Sequence, residues 1–357
     1  MNPPAPPTIT ALTGRERVVA ALRRQPVDRT PVWFMRQAGR CLAAYRELRE
    51  RHDILTITRT PELCAQVTLM PVQELAVDAA VMYADIMLPL VGMGVPFSID
   101  PGVGPIIHQP VRSRADVARL RVVESAEEAT PELFAAIRQV GQALGGSAAV
   151  IGFAGAPFTV ASYLIEGGPS RDHPRTKALM HGDPELWDRL LETLAEVTVR
   201  YLRAQVAAGA DALQLFDSWV GALSRRDYET RVLPHVRRIF AGVEAAGVPR
   251  IHFGTGCSHL LEQMASAGSE AVSVDWRLPL DVAWDRIGRG HSIQGNLDPA
   301  IPLAPWPVVE RETRRVLAEA GGRDGHVFNL GHGVLPDTEA ATLRRIAELV
   351  HEETARP

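Results

Sequence analysis

The fold is decided by a stretch that begins with Ala149-Val150-Ile151-Gly152-Phe153, continues with helical periodicity over residues 184–208 and ends with Ala212-Leu213-Gln214-Leu215-Phe216. The two apolar runs have the length and composition of buried strands. The segment between them begins at Asp183-Pro184, a capping residue followed by a first-turn proline. A strand, a helix and a second strand in this order predict a βαβ unit with parallel strands.

The same alternation continues on both sides of this unit. Six further apolar runs have the length of strands, at residues 32–35, 80–84, 251–253, 271–274, 292–295 and 326–329. Helical periodicity occurs again over residues 61–76, 227–245, 307–320 and 338–353, and Asp337-Thr338 is the expected start of the last helix. Eight strands that alternate with helices predict an α/β protein with a (β/α)8 TIM-type barrel.

One barrel domain is predicted over residues 13–357, after a Pro-rich segment, residues 1–12, that we expect to be disordered or loosely ordered. The competing fold, a doubly wound open sheet, should have a GxGxxG turn after its first strand. None of the GxG patterns of the chain, among them those at Gly102 and Gly254, completes that motif. The long connection over residues 88–147 is expected to elaborate the barrel and to contain a small hairpin.

Composition narrows the classes of function. The 357 residues are 46% hydrophobic and 22% charged, as in a globular protein that buries a large core. A formal net charge of -4 argues against non-specific binding of nucleic acid, which needs a basic surface. No apolar run reaches the roughly 18 residues of a membrane span, no secretory signal is visible, and the three cysteines form no CxxC pair. We therefore expect a cytoplasmic protein.

Polar residues follow most of the predicted strands, at the end of a barrel where active sites lie. Arg36 and Arg40 follow the first strand, with Gly39 between them, and two guanidinium groups so placed can bind the carboxylates of an anionic ligand. Since 37 of the 38 basic residues are Arg and only Lys177 is Lys, a pair of solvated surface arginines is the alternative.

Asp85 is the sharpest single candidate. It lies in the apolar context Ala84-Asp85-Ile86, where an ionised carboxylate is costly unless a cation or several hydrogen-bond donors meet it. It is therefore either a functional group or one partner of a buried salt bridge with Arg36 or Arg40.

Other strand ends offer weaker candidates. His332 lies between two glycines that allow a ligand to approach the backbone closely. Ser218 and Tyr163 can supply hydroxyl contacts. Three further acidic residues fit better as helix caps or loop anchors than as catalytic groups; they are Asp217, Asp275 and Asp298.

Two rival chemistries have little support in these positions. A Schiff-base enzyme needs a lysine in the pocket, and Lys177 lies in a polar stretch away from every predicted strand end. A zinc enzyme needs a cluster of ligands, and the spacing of His252, Cys257 and His259 is loose, without an obvious fourth partner.

Taken together, a series of motifs in this chain resembles the uroporphyrinogen decarboxylase family, in order from about residue 13 to residue 353. The motifs are Arg36-Gln37-Ala38-Gly39-Arg40, Tyr83-Ala84-Asp85-Ile86, residues 152–159 with Tyr163 and Glu166-Gly167-Gly168, Leu215-Phe216-Asp217-Ser218, Gly295-Asn296-Leu297-Asp298-Pro299, and residues 329–334. Any one of them alone would be a weak signal, but the ordered series is specific.

The resemblance implies a homodimeric barrel enzyme that removes CO2 from the four acetate side chains of uroporphyrinogen III and gives coproporphyrinogen III, on the route to haem. It also implies that no metal and no organic cofactor is used. At matching positions it implies that the segment from Arg36 through Gln37, Ala38 and Gly39 to Arg40, together with His332, binds substrate carboxylates. Tyr163 and Ser218 would supply hydroxyl contacts, and Asp85 would meet the pyrrole N–H groups.

The chemistry expected of such an enzyme assigns Asp85 its part. Protonating the electron-rich pyrrole ring makes a cation that accepts the electrons left by CO2, so the substrate is its own electron sink. An ionised Asp85, kept ionised by nearby arginines, would stabilise that cation. Arg36 is a poor general acid, so the proton could come from Tyr163, His332 or a held water.

Two alternatives remain at this point. One is a zinc-dependent methyltransferase of the same superfamily, which would use a His-x-Cys pair and a later Cys, whereas this chain has no Cys after Cys257. The other is a non-catalytic tetrapyrrole carrier, which would not need a buried counter-charge at the position of Asp85.

Overall fold

Parallel strands alternate with helices throughout the computed structural model, which describes residues 11–39, 41–100 and 102–356. The strands in this part of the chain are β1 (Ala79–Val81), β2 (Phe97–Asp100), β3 (Gly104–Ile107), β4 (Ala149–Gly155), β5 (Ala212–Asp217), β6 (Arg250–Gly254), β7 (Ala271–Ser273), β8 (Ser292–Leu297) and β9 (His326–Leu330). Seven of them form one parallel sheet in the order β1-β4-β5-β6-β7-β8-β9. The predicted strands two to eight are therefore confirmed in order and direction.

Helices cover the outside of this sheet. They are α1 (Gly14–Leu22), α2 (Ala43–Arg51), α3 (Ile54–Arg59), α4 (Pro61–Leu75), α5 (Pro89–Gly92), α6 (Arg114–Ala118), α7 (Ala126–Ala129), α8 (Pro131–Leu144), α9 (Pro157–Glu166), α10 (Pro174–Gly182), α11 (Pro184–Ala208), α12 (Arg225–Arg231), α13 (Leu233–Val243), α14 (Leu261–Ala265), α15 (Leu280–Ile287), α16 (Trp306–Ala320) and α17 (Ala340–Thr354). Short 3-10 turns lie at Val220–Ala222, Glu244–Ala246, Ser258–Leu260 and Ile301–Leu303. No helix of the described residues is both long and apolar enough to cross a membrane.

The first predicted strand, residues 32–35, is reduced to a single parallel bridge between Val32 and Phe328. The amide of Phe328 donates to the carbonyl of Pro31 at 2.9 Å, and the amide of Trp33 donates to the carbonyl of Phe328 at 3.3 Å. On the other side, the amide of Asp78 donates to the carbonyl of Val32 at 2.8 Å. This segment therefore joins β9 to β1, the two edges of the sheet, and closes the barrel.

Side chains continue this closure where the backbone ladder stops. The amide of Phe34 donates to Oε1 of Gln37 at 2.8 Å, and Nε2 of Gln37 donates to the carbonyl of Ala79 at 2.8 Å. The amide of Met35 donates to Oδ1 of Asn329 at 2.9 Å. Because side chains take the places of ladder partners here, a four-residue strand was the wrong prediction for residues 32–35.

The predicted helices agree with the structure except at two places. Helix α11 has the predicted bounds, and Oδ1 of Asp183 caps it by accepting from the amide of Leu186 at 3.1 Å. The helix predicted over residues 227–245 is two helices, α12 and α13, because Pro234 lies in the first turn of a new helix. The start predicted at Asp337-Thr338 is also wrong, since α17 begins at Ala340 with Glu339 at its N-cap.

The connection between β1 and β4 contains the expected hairpin. Strands β2 and β3 pair antiparallel, with Phe97 opposite Ile107. The amide of Ile107 donates to the carbonyl of Gly167 at 2.8 Å, and that of Val111 donates to the carbonyl of Leu164 at 2.8 Å. These bonds hold the hairpin against α9 and the turn that follows it.

Polar side chains from distant strands meet inside the barrel. Nε1 of Trp33 donates to Oε1 of Gln294 at 2.9 Å, and Nε2 of Gln294 contacts Oε1 of Gln214 at 3.0 Å and Oγ of Ser273 at 2.9 Å. All four side chains are buried, and strands β5 and β8 are not neighbours in the sheet. The contacts therefore cross the interior and form a floor below the carboxyl ends of the strands. We call this carboxyl end of the barrel the mouth.

An ion cluster lies at the opposite end, at the amino end of β1. Nη1 of Arg17 contacts Oδ1 of Asp78 at 2.5 Å, and its other nitrogens donate to both carboxylate oxygens of Asp28 at 2.7 Å. Oδ2 of Asp78 accepts from the amide of Val32 at 2.8 Å and contacts Nε2 of His351 at 2.7 Å. This cluster ties α1, β1, the closing segment and α17 together.

Candidate active site

The mouth brings together residues from four different strand ends. Asp85 follows β1, Tyr163 lies in α9 after β4, Ser218 follows β5, and His332 follows β9. Arg36 lies beyond the closing segment, which takes the place of the first strand. Arg40 lies outside the described residues.

Asp85 is a half-buried carboxylate beyond the end of β1. The predicted strand over residues 80–84 ends early, at Val81, because the amide of Tyr83 turns to Oγ1 of Thr68 at 3.0 Å. Oδ1 of Asp85 accepts from the amide of Met87 at 2.8 Å, and no ion pair joins Asp85 to another described residue. Burial raises the pKa of Asp85 more than the Met87 amide and the charge of Arg36 lower it.

This geometry bears on two expectations for Asp85, while a pairing with Arg40 falls outside the described residues. The carboxylate is not one half of a salt bridge with Arg36 in the described part of the chain. The charge of Arg36 lowers the pKa of Asp85, as expected of a nearby arginine, but burial raises it more, so the pKa lies above the ordinary value of an aspartate. Among the described residues the carboxylate has lost water contacts without gaining an ion pair in their place.

Arg36 is exposed at the mouth and adopts a left-handed backbone conformation, with φ of 61°. A Cβ on Gly333 would collide with Cδ of Arg36, so this glycine is what allows the side chain to lie against the loop after β9. The charge of Arg36 opposes the rise in pKa at Asp85 and Tyr163 and adds to the fall at His332. Arg36 therefore lies within electrostatic reach of all three.

Tyr163 forms one wall of the mouth. Its ring stacks on Trp219 with centroids 4.1 Å apart and planes 28° apart. Burial, followed by the nearby charge of Asp85, raises the pKa of Tyr163 to about 12. The phenol therefore keeps its proton at neutral pH and can serve as a hydrogen-bond donor.

His332 is neutral in this site. Its Nδ1 accepts from the amide of Gly333 at 2.7 Å, which places the ring proton on Nε2. Burial and then the charge of Arg36 lower the pKa of His332 to about 4. At neutral pH the ring can offer one N–H donor from Nε2, but it does not carry a second proton to give away.

The remaining predicted site residues differ in which hydrogen-bonding groups they can offer to a ligand. The hydroxyl of Ser218 has no hydrogen-bond partner among the described residues, and its carbonyl accepts from Oγ1 of Thr255 at 2.6 Å. Gln37 uses both ends of its amide in closing the barrel, as described above. Ala38 is buried and Gly39 half-buried, so these two offer a ligand backbone groups only.

Comparison with known proteins decides the family. The sequence profile of the uroporphyrinogen decarboxylase family matches residues 13–353. The chain belongs to the uroporphyrinogen decarboxylase family. It is 55% identical over 336 residues to a uroporphyrinogen decarboxylase of Sorangium cellulosum, a match that covers 94% of this chain and 96% of that protein. It is 52% identical over 354 residues to the one of Streptomyces coelicolor, covering 98% and 97% of the two chains.

A solved structure of low sequence identity shows the same fold. A methyltransferase from Methanosarcina mazei superposes with a TM-score of 0.82 and covers 96% of this chain and 99% of its own, at 20% identity. At that identity the likeness concerns the fold alone, and it supports the TIM-type barrel.

Anchoring residues surround the mouth, as the sequence suggested for three aspartates. Asp275 accepts from the amides of Gly256 and Arg277, and Asp298 accepts from the amide of Ala300 at 2.9 Å. Asp217 is buried and accepts from Oγ1 of Thr159 at 2.9 Å, and burial raises its pKa to about 7.

Trp219 and Arg277 were not singled out from the sequence. Trp219 directly follows Ser218, and Arg277 directly follows Asp275-Trp276. Their positions directly after predicted strand ends were the only feature of the sequence that could have identified them as residues of the mouth.

The rival sites do not assemble in the described residues. No group of three His, Cys, Asp or Glu side chains there could hold a metal ion. His252 is buried with its Nδ1 3.4 Å from the carbonyl of Met264, and Nε2 of His259 contacts the carbonyl of Leu223 at 2.7 Å. Lys177 lies in α10, away from the strand ends.

Proposed function

We propose that this enzyme decarboxylates the four acetate side chains of uroporphyrinogen III to methyl groups, giving coproporphyrinogen III, with Asp85 as its central catalytic residue. Membership of the family supports the reaction. The observation that supports the role of Asp85 is its half-buried carboxylate at the mouth, met by one backbone amide and by no ion pair among the described residues. Such a group has acceptor capacity that a bound ligand can satisfy.

The substrate supplies donors that match this capacity. The pyrrole rings of a porphyrinogen point their N–H groups toward the centre of the macrocycle, and several can reach one carboxylate. Hydrogen bonds from these groups favour the charged form of Asp85 and offset the burial that raises its pKa. Substrate binding would then add to the charge of Arg36 in favouring the ionised form of Asp85.

The proposed step needs no external electron acceptor. A proton adds to the ring carbon that lies between the nitrogen and the acetate-bearing carbon, and the ring becomes a cation whose charge is shared by the nitrogen and the acetate-bearing carbon. The bond to CO2 breaks, and its electron pair forms an exocyclic double bond that neutralises the ring. A second proton adds to the exocyclic carbon to give the methyl group, and the ring carbon loses the first proton. The ionised Asp85 stabilises the cation in a preorganised, water-poor site, an effect worth about 3–4 kcal/mol.

Carboxylate binding falls to donors on both sides of the mouth. Arg36 is exposed and lies beside the loop that carries His332, whose Nε2–H is available. We place Arg40, the backbone of residues 37–39 and the hydroxyls of Tyr163 and Ser218 in the same binding role. The side chain of Gln37 has a structural role, because it bonds to the closing segment and to Ala79.

The test is anaerobic incubation of the purified, metal-free protein with uroporphyrinogen III, followed by chromatography of the oxidised products. We expect a ladder of products with eight down to four carboxylates. Turnover that requires added zinc or a methyl donor would overturn the proposal. Tight binding without turnover would indicate a carrier instead.

Three further features belong to the same proposal. We propose that the enzyme is a homodimer, as the family resemblance implies, and light scattering on the purified protein tests it. We propose that it works in the cytoplasm, which the three unpaired, buried cysteines support. The domain bounds, residues 13–357 after a loosely ordered segment 1–12, also stay a proposal, and residues 1–10 lie outside the described part of the chain.

A further inference from the structure

Arg277 is an exposed cation at the mouth that a buried carboxylate holds in place. It follows Asp275, which lies two residues beyond the end of β7 and is 5% exposed. Oδ1 of Asp275 accepts from the amide of Arg277 at 3.0 Å, and Oδ2 accepts from its Nη1 at 2.6 Å. Oδ2 also accepts from the amide of Gly256 at 2.5 Å, so the carboxylate itself is fixed.

The guanidinium group also has a rigid surface beneath it. Its carbon lies 4.3 Å from the ring centroid of Trp276, the distance of a cation–π contact. Trp276 in turn packs against the loop after β9, because a Cβ on Gly331 would lie 2.5 Å from the backbone nitrogen of Trp276. His332 is the next residue, so Arg277 and His332 lie on adjoining parts of the mouth.

Electrostatics agree with this placement. Burial and Arg36 lower the pKa of His332, and the charges of Asp275 and Arg277 also act on it in opposite directions. His332 therefore lies within electrostatic reach of two guanidinium groups, those of Arg36 and Arg277. All three can present N–H donors to one ligand.

Arg277 has donors to spare. Only Nη1 is used by Asp275, and Nε and Nη2 donate no hydrogen bond to a described residue. Half of the side chain is exposed. By contrast, Arg286 uses both Nε and Nη2 on Glu262. A planar guanidinium with free donors on one edge matches the geometry of a carboxylate.

We infer that Arg277 is a further substrate-binding residue, which holds one carboxylate of the tetrapyrrole beside His332. The inference rests on the proposed function, since it is the eight carboxylates of that substrate that call for more donors than Arg36 and Arg40. Because Asp275 offsets the charge of Arg277, its contribution is directional hydrogen bonding more than long-range attraction. Shape and charge should therefore both matter at this position.

The experiment compares Arg277→Ala, Arg277→Lys and a control, Arg344→Ala, in steady-state decarboxylation of uroporphyrinogen III. Arg344 is 58% exposed and paired with Glu348 on α17, so its loss is the same change in charge away from the mouth. We expect Arg277→Ala to raise KM about tenfold, the effect of one charge-assisted contact, with kcat within about twofold of wild type. Arg277→Lys should recover part of the loss, because it keeps the charge and lacks the fork.

Equal KM values for Arg277→Ala and Arg344→Ala would overturn the inference. Thermal unfolding of each variant identifies a misfolded protein, and if Arg277→Ala is misfolded, KM of Arg277→Lys decides. Failure of the proposed function is distinguished by the wild-type protein, which would then give no ladder of products. A normal ladder from wild type with an unchanged KM for Arg277→Ala rejects the role of Arg277 alone.

Discussion

Two aspartates flank strand β1, and they differ in almost every contact. Asp78 precedes the strand and has Arg17, His351 and the amide of Val32 around its two oxygens. Asp85 follows the strand by four residues, and in the described residues it receives the amide of Met87 alone. A fully satisfied carboxylate holds elements together, whereas an unsatisfied one is a cost that the fold bears until a ligand arrives.

The largest expected effect of breaking this contrast is on turnover. Asp85→Asn keeps the shape of the side chain and removes its charge, so we expect kcat to fall about a hundredfold to a thousandfold. The thermal midpoint should be equal to that of wild type or slightly higher, because the carboxyl group whose ionisation burial disfavours is gone. Calorimetry and steady-state kinetics on the same preparation check both parts. A near-normal kcat would rule out the counter-charge role.

The matching change at the other end of β1 should lower stability and leave turnover nearly unchanged. Asp78→Asn removes, in a buried site, the carboxylate that His351 contacts and one of the two carboxylates that Arg17 contacts, and we expect it to lower the free energy of unfolding by about 3 kcal/mol. Denaturant titration measures the loss, and kcat per folded molecule should stay near wild type. If Asp78→Asn lost turnover without losing stability, the division between the two ends would be wrong.

The pH dependence of turnover sharpens the comparison further. Burial raises the pKa of Asp85, so the free enzyme needs a higher pH than an ordinary aspartate to ionise this group. We expect kcat/KM to fall as the pH falls through that raised pKa. His332, with a pKa of about 4, should add no step near the ordinary value of a histidine.

The ratio of wild-type to Asp85→Asn kcat/KM isolates this step, because titration of the substrate carboxylates is common to both enzymes. Asp217→Asn is the second control, since the pKa of Asp217 is about 7. A ratio that does not change with pH would show that ionisation of Asp85 does not limit the reaction. A step that disappears in Asp217→Asn would belong to Asp217.

The smallest expected effect is at the wall of the mouth. Tyr163→Phe removes the hydroxyl and keeps the ring on Trp219, so we expect kcat/KM to fall about threefold to tenfold with no change in the thermal midpoint. Tyr163→Leu is the matched variant that also removes the stack, and it should lower the thermal midpoint. An unchanged kcat/KM in Tyr163→Phe would remove the hydroxyl from the binding contacts.

The sequence was enough to predict the parts of the fold that depend on local pattern. Residues 184–208 carry helical periodicity and a cap at Asp183, and the helix has these bounds. The closing segment at residues 32–35 could not be predicted in detail, because its bonds go to Gln37 and Asn329 side chains. Strand propensity cannot predict that side chains distant in the sequence take the place of backbone partners in a sheet.

The candidate site shows the same limit. Asp85 stands out in the sequence because a carboxylate in apolar surroundings is unusual. Whether an arginine would pair with it depends on side-chain directions across four strand ends; Arg36 does not pair with it, and Arg40 lies outside the described residues. Arg277 was missed for a related reason, since one Arg among 37 gains meaning only from the buried Asp275 beneath it.

The single-residue bridge at Val32 limits where the chain can accept an insertion or a deletion. Five consecutive positions directly before Arg36 are fixed by backbone bonds: Pro31, Trp33 and Met35 bond to β9, Val32 bonds to Asp78, and Phe34 bonds to Gln37. An inserted or deleted residue there would open the barrel and carry Arg36 away from Gly333 at the same time. The tip of the hairpin at residues 102–103 has no such neighbours, and a Cβ on Gly102 would meet nothing within 4 Å. Insertions should be tolerated at that tip and rejected in the closing segment.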